Sequence, residues 1–318
     1  MMTDRFARRV RRLLAPLALL ALAGAAAPGA SALAQAPLPG AAATAGDRIV
    51  SVGGAVTEIL YALGLERRIA GVDTTSLFPA RALQDKPNVG YVRALSPEGV
   101  LSLRPSLVIT SEAAGPPDAV KLIQEAGIRI ARVPDEPTAE GVIRKIAEVG
   151  RLTGAEADAG RLAAAVDRRF AVLAKARASI DRPVKVLFVL ALQNGRPLVG
   201  GAGTSADSII RLAGGANAAG TIQGYKPMTD EAVIAAAPEI VVMMTRGDAA
   251  PKVEDVFATV GLAATPAGAR RALVVMDGLY LLGFGPRTPD AARDLMKAFY
   301  PALDPPALPG PADGGARP

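Results

Sequence analysis

Apolar positions in this chain fall into short continuous runs that alternate with longer stretches in which they recur every three or four residues. Such alternation marks strands buried on both faces, interleaved with amphipathic helices. Residues 48–52 read as a strand, Gly53-Gly54 as a turn, and the next stretch as a helix with Val56, Ile59, Leu60 and Leu63 on one face, stopped at Gly64. A second strand is predicted over 69–73. After a long loop come a capped helix opening at Ser96, a strand over 107–110, a helix over 117–126, a strand over 128–132 and a helix over 138–152. This alternation predicts a parallel sheet covered on both faces.

The rhythm then changes. From 155 to 180 there is no proline and Gly160 is the lone breaker, while Leu162, Val166, Phe170 and Leu173 keep helical spacing. One helix of that length would run roughly 39 Å, the size of a domain, which suits a strut between lobes. Pro183 ends it. The strand and helix pattern restarts with a strand over 184–190, a glycine-rich turn at 200–203 and a helix over 204–212, and closes with a strand over 272–276 and a helix over 288–299.

Two stretches match at one constant offset. Ser96-Pro97-Glu98-Gly99-Val100-Leu101, followed by Pro105 and Leu107-Val108-Ile109, answers to Thr229-Asp230-Glu231-Ala232-Val233-Ile234, followed by Pro238 and Ile240-Val241-Val242. Capping hydroxyl, glutamate, apolar pair, proline and strand recur in register, so the chain holds two similar lobes. The predicted fold class is α/β: two Rossmann-like lobes with parallel-type sheets, over 47–153 and 183–303, joined by one long strut helix within 154–182. A ligand cleft lies between them.

Composition adjusts this picture at the ends. Arg5, Arg8, Arg9, Arg11 and Arg12 precede a Leu/Ala run and an Ala32-Leu33-Ala34 cleavage pattern, so residues 1–34 read as an export signal. Pro16 and Pro28 break the apolar run, which argues against a membrane anchor. Removing this segment takes the formal charge from +6 to about +2. Nucleic-acid binding then has no basic block to rest on. The chain has no cysteine and no histidine. Disulfides, a lipid-modified cysteine, a Ser-His-Asp triad, a cysteine nucleophile and a histidine-bearing zinc site are therefore excluded. A soluble periplasmic protein that is not an enzyme is expected, and the tail over 304–318 is expected to be disordered. The glycine-rich turns lack the Gly-Lys-Ser/Thr of nucleotide loops. They read as tight turns whose N–H groups are alternatively available to an anion.

Gly90-Tyr91-Val92-Arg93, Leu95-Ser96-Pro97-Glu98-Gly99-Val100-Leu101, the stretch from Ser111 to Pro117, and Gly224-Tyr225-Lys226-Pro227-Met228-Thr229 carry a family resemblance. The chain resembles the periplasmic haem-binding proteins of bacterial haem-uptake ABC transporters, of the helical-backbone class shared with siderophore and cobalamin binders. The resemblance spans most of residues 47–300, and the Gly-Tyr-x-Arg segment is what favours haem. It implies that Tyr91 ligates ferric haem iron, a known role for a tyrosine phenolate. Arg93, two residues on, is implied to serve either that phenolate or a haem propionate. Arg246, after the predicted strand of the second lobe, resembles an arginine that some relatives place against the distal face, and Tyr225 is a candidate second wall residue. Glu98 and Glu231 gain from the helix dipole in the first turn of their helices; the resemblance also implies that they dock on arginines of an inner-membrane permease dimer driven by its ATPase. The implied function is capture of haem as a transported ligand by a monomeric shuttle. The alternatives are a ferric-siderophore or cobalamin carrier and, from another class, an exported α/β enzyme.

Overall fold

The computed structural model describes residues 48–193, 195–245, 250–303 and 305–310; the expected signal segment over 1–34 lies outside them. The first lobe is built on a four-stranded sheet of β1 (Ile49–Val52), β2 (Ile69–Val72), β5 (Leu107–Ser111) and β6 (Arg129–Val133), in the order β2-β1-β5-β6. All its pairings are parallel. A separate two-stranded ribbon, β3 (Gly90–Tyr91) with β4 (Ala94–Leu95), stands beside it.

The second lobe carries β7 (Lys185–Gln193), β8 (Arg196–Gly200), β9 (Ala216–Asn217), β10 (Tyr225–Pro227), β11 (Ile240–Thr245) and β12 (Leu273–Asp277). Its order is β10-β8-β7-β11-β12, with β9 also on β7. β7, β9, β11 and β12 pair in parallel. Sequence reading missed β8 and β10, which pair antiparallel and make this sheet mixed. Pro197 and Pro227 interrupt their patterns, and a proline within a run demotes it as a strand signal.

Between the lobes runs the expected long helix, Glu156–Ala178, of 23 residues. Alternating strand residues sort the core into layers, as a period of two requires. Ile49, Leu107, Ile109, Val186, Phe188, Ile240 and Val242 join one cluster with Leu162, Val166, Phe170 and Leu173 of the strut and Leu295, Met296 and Phe299 of the closing helix Thr288–Phe299. Their neighbours Val50, Val52 and Val108 pack in a second cluster, private to the first lobe. Leu187, Val189, Val241 and Met243 pack in a third, private to the second lobe. One apolar core thus runs continuously through both lobes and the strut.

Polar contacts tie the lobes as well. Glu58, on the first-lobe helix Gly54–Ala62, accepts from the Arg287 backbone N–H at 3.0 Å and from Arg287 Nη2 at 3.1 Å. Lys145, on the helix Ala139–Thr153, donates to the Phe284 carbonyl at 3.2 Å. Arg169 of the strut pairs with Asp290. At Gly54 a Cβ would lie 2.3 Å from the Thr75 carbonyl oxygen and 2.5 Å from Leu279 Cδ1, so glycine there lets a second-lobe side chain reach the first lobe. Past the closing helix, where composition predicted a disordered tail, Pro305 is buried, Pro306 accepts from Arg293 Nε at 3.1 Å and Leu308 packs on the common core. The expectation for 304 and for 311–318 falls outside the described residues.

Candidate functional site

The strands of both lobes end on one cavity of about 750 Å³. Gly53 to Val56 follow β1, Thr74 and Thr75 follow β2, Asp135 follows β6, Met244 and Thr245 end β11, and Asp277 with Gly278 ends β12; all of them line it. Crevices at the carboxyl ends of parallel strands are where α/β folds place ligands, and this volume lies in the ordinary range for a ligand pocket.

Tyr91 and Arg93 both line this cavity. They do not lie along one extended strand. Val92 and Arg93 form the turn of the β3–β4 hairpin. Gly90 makes that hairpin possible: its φ is +99°, and a Cβ there would lie 2.8 Å from the Ala94 carbonyl oxygen. Val92 is buried in the first-lobe core while Tyr91 is 45 % exposed. The Gly90 carbonyl accepts from the Thr74 N–H, and the Val92 carbonyl from the Gly115 N–H, each at 2.9 Å. The hairpin is therefore pinned at once to the segment after β2 and to the loop from Ser111 to Pro117, two stretches that the sequence could not place together.

Tyr225 has another setting. It lies on edge strand β10, edge-to-face with Phe188 at 6.5 Å between centroids, and outside the cavity lining. Burial of its hydroxyl end raises the phenol above its usual range. The Thr204 side chain, the Ala206 backbone and the Arg93 charge pull it back. That hydroxyl is thus engaged at the start of the helix Ser205–Leu212. The Arg93 charge, from the opposite lobe, is felt there. The site expected at Arg246 lies outside the described residues.

Glu98 and Glu231 are both exposed, at equivalent points of the two lobes. Ser96 Oγ accepts from Gly99 N–H at 3.0 Å and Thr229 Oγ1 from Ala232 N–H at 3.3 Å, the two caps that the repeat predicted. Its own backbone N–H and the Thr229 hydroxyl hold the Glu231 carboxyl below its usual range. The repeat extends to backbone geometry, because Arg104 and Ala237, each just before the matching proline, take left-handed φ values of 45° and 48°.

Three N–H groups of the glycine-rich turns, the alternative anion donors, are engaged within the fold. Gly53 N–H donates to Asp73 Oδ1 at 2.8 Å and Gly54 N–H to Thr75 Oγ1 at 3.0 Å. In the second turn, Gly201 N–H donates to the Gly224 carbonyl at 2.9 Å. These donors are already spent inside the fold. Asp73, fully buried, also accepts from Thr75 and Ser76, so it organises the turn beneath the cavity. Sequence reading passed over it, and over Lys145, a fully buried lysine that lines the cavity.

Among solved structures, the chain is similar to the periplasmic heme-binding protein RhuT from Roseiflexus sp. RS-1 in apo form. The two are 40% identical, with a TM-score of 0.77 over 80% of this chain and 98% of that one. It is similar in the same degree to the periplasmic heme-binding protein BhuT in complex with two hemes, 39% identical with a TM-score of 0.77 over 81% of this chain and 99% of that one. A curated relative from Bacillus subtilis (strain 168), an uncharacterized ABC transporter substrate-binding lipoprotein YvrC, is 28% identical over 80% of both chains. Residues 49–279, which take in both sheets, the strut and nearly all of the cavity wall, match the family described as periplasmic binding protein. On that match and on the two-lobed fold around a shared cleft, the chain belongs to the periplasmic binding protein family.

Proposed function

We propose that this chain captures ferric haem in the cleft between its lobes and hands it to an inner-membrane ABC importer, performing no bond chemistry itself. One observation carries the reading: a tyrosine and an arginine, Tyr91 and Arg93, are presented together by a pinned hairpin on the wall of a cavity of about 750 Å³. A phenolate is an anionic oxygen donor suited to ferric iron. The free phenol titrates near 10, so binding iron as phenolate needs the metal and a nearby positive charge. Arg93 supplies that charge at the cavity mouth, either to the phenolate or to a propionate. The solved relatives that share about two-fifths of their residues with this chain are haem binders, which supports haem over a siderophore or cobalamin.

Export to the periplasm with cleavage near Ala34, action as a monomer, and docking of Glu98 and Glu231 onto a permease dimer complete the proposal. The exposed, paired placement of the two glutamates supports docking, because two anchors on separate lobes report how far apart the lobes stand.

The test is a hemin titration of the chain from Gln35, followed by absorbance beside Tyr91→Phe. Saturation with a high-spin ferric tyrosinate spectrum, lost or altered in the variant, is expected. A saturable spectrum unchanged by Tyr91→Phe would remove Tyr91 as ligand, and no saturable spectrum at all would remove haem.

A further inference from the structure

We propose that Lys145 is a second anion receptor of the cleft, receiving a ligand carboxylate at the cavity floor as Arg93 does at the mouth. The inference rests on the haem reading and sharpens it: the ligand is recognised as an apolar plate with two carboxylates, gripped at two depths.

Lys145 occupies the apolar stripe of the helix Ala139–Thr153, among Val142, Ile146 and Val149, and is 1% exposed. An ammonium in such a place is costly unless it is paired. A leucine would pack the stripe without that cost, so packing alone gives no reason for a cation here. The ammonium carries three N–H donors. Two are accounted for, by Asp135 Oδ1 at 2.7 Å and the Phe284 carbonyl at 3.2 Å. One donor remains for a third acceptor, at a residue that lines the cavity.

The resident partner is replaceable. The Asp135 side chain is 39% exposed against 1% for Lys145, so the aspartate can turn to water while the lysine stays. A ligand carboxylate arriving at the floor would exchange with Asp135 and find the cation already held by Phe284. Among the described residues lining the cavity, Arg93 and Lys145 are the cations. Haem carries two propionates, and one cation at the rim with one at the floor would fix how the ring enters. Because Phe284 also lines the cavity and belongs to the second lobe, the same lysine joins ligand, first lobe and second lobe at one point.

The experiment compares hemin with hemin dimethyl ester, whose carboxylates are masked, in the wild-type chain, Lys145→Leu and Asp135→Asn. The ratio of the two affinities is the readout. The wild type is expected to prefer the diacid, and Lys145→Leu to lose about tenfold of that preference, the scale of one charge-assisted hydrogen bond, with the tyrosinate spectrum unchanged. Asp135→Asn, which removes the competing carboxylate, is expected to raise the preference. An unchanged ratio in folded Lys145→Leu overturns the proposal. Should Lys145→Leu fail to fold, Asp135→Asn decides alone: a raised preference supports the exchange, and an unchanged or lowered one overturns it. If neither ligand gives a Soret band in the wild type, the haem reading itself fails and this proposal with it, an outcome distinct from an unchanged ratio.

Discussion

Replacing Arg287 with methionine leaves the Glu58 carboxylate buried with no cation, and the structure says how the damage depends on pH. The Glu58 side chain is 5% exposed and Arg287 supplies it with two hydrogen bonds, from the backbone N–H and from Nη2. Burial raises the Glu58 carboxyl above its usual range, and the Arg287 charge and hydrogen bonds pull it down part of the way. Without the guanidinium the backbone N–H of residue 287 still donates, but burial and the nearby Asp290 charge, both of which raise the carboxyl, lose the cation that opposed them, so it moves higher. A raised folded-state pKa means that the native state holds a proton the unfolded chain has released. Stability from that proton is fully present below the ordinary carboxylate value and is lost as pH rises through the raised folded value. The deficit of Arg287→Met against wild type should therefore be small at about pH 4.5 and grow toward pH 8, where breaking a buried pair on one side costs about 3–5 kcal/mol. Some deficit remains in acid, because Arg287 also stacks on Phe78 at 3.5 Å, a contact worth about 1 kcal/mol. Thermal unfolding by circular dichroism at both pH values reads it, the larger loss amounting to roughly 10 °C. Adding Glu58→Met should recover most of the loss at pH 8, since no buried charge then remains. An equal deficit at pH 4.5 and pH 8, or no recovery in the double variant, would show that Arg287 serves by packing and would refute the electrostatic account.

Three more expectations follow from the same structure. Gly54→Ala drives a Cβ against the Thr75 carbonyl, which cannot yield as a side chain would, and against Leu279; a loss of about 2 kcal/mol is expected, and a denaturation midpoint equal to wild type would show that the lobes are not in contact there. Ala237→Gly relieves the left-handed C-cap of the helix Asp230–Ala236 and should stabilise by about 0.5–1 kcal/mol; an unchanged or lowered midpoint counts against strain at that cap. Charge reversal of Glu98 and Glu231 together should abolish haem import by reconstituted transporter while leaving the hemin titration as in wild type, and normal import would remove them as docking anchors.

How much was legible in the sequence depended on how local each signal is. The caps at Ser96 and Thr229 are contacts within four residues, so the repeated capped helices, the prolines after them and the strands they lead into could be read directly, as could the strut, whose apolar stripe runs unbroken. The left-handed residues at Arg104 and Ala237 sit at the same offset, yet neither is a glycine, and nothing in the residue types announces that conformation. Tyr91 and Arg93 were readable as chemistry but not as geometry. Their shared face comes from a turn whose shape depends on hydrogen bonds to Thr74 and Gly115, both distant in the chain.

The seam between the lobes was illegible as a set of pairs, because Glu58 meets Arg287, and Lys145 meets Phe284, only once both sheets are in place. One trace of it was present all the same. Glu58 stands beside Ile59 and Leu60, and Lys145 among Val142, Ile146 and Val149, so each is a charge set into a stripe that otherwise predicts core. A charge in that position is tolerated only where the fold supplies a partner: Glu58 finds its cation in the second lobe, and Lys145, paired with Asp135 of its own lobe, also donates to a second-lobe carbonyl. The stripe violations therefore mark where one lobe must meet the other. At Lys145 they also mark where the wall of the cleft can meet an anion, so the contact that holds the lobes together and the contact proposed to hold the cargo converge on one ammonium.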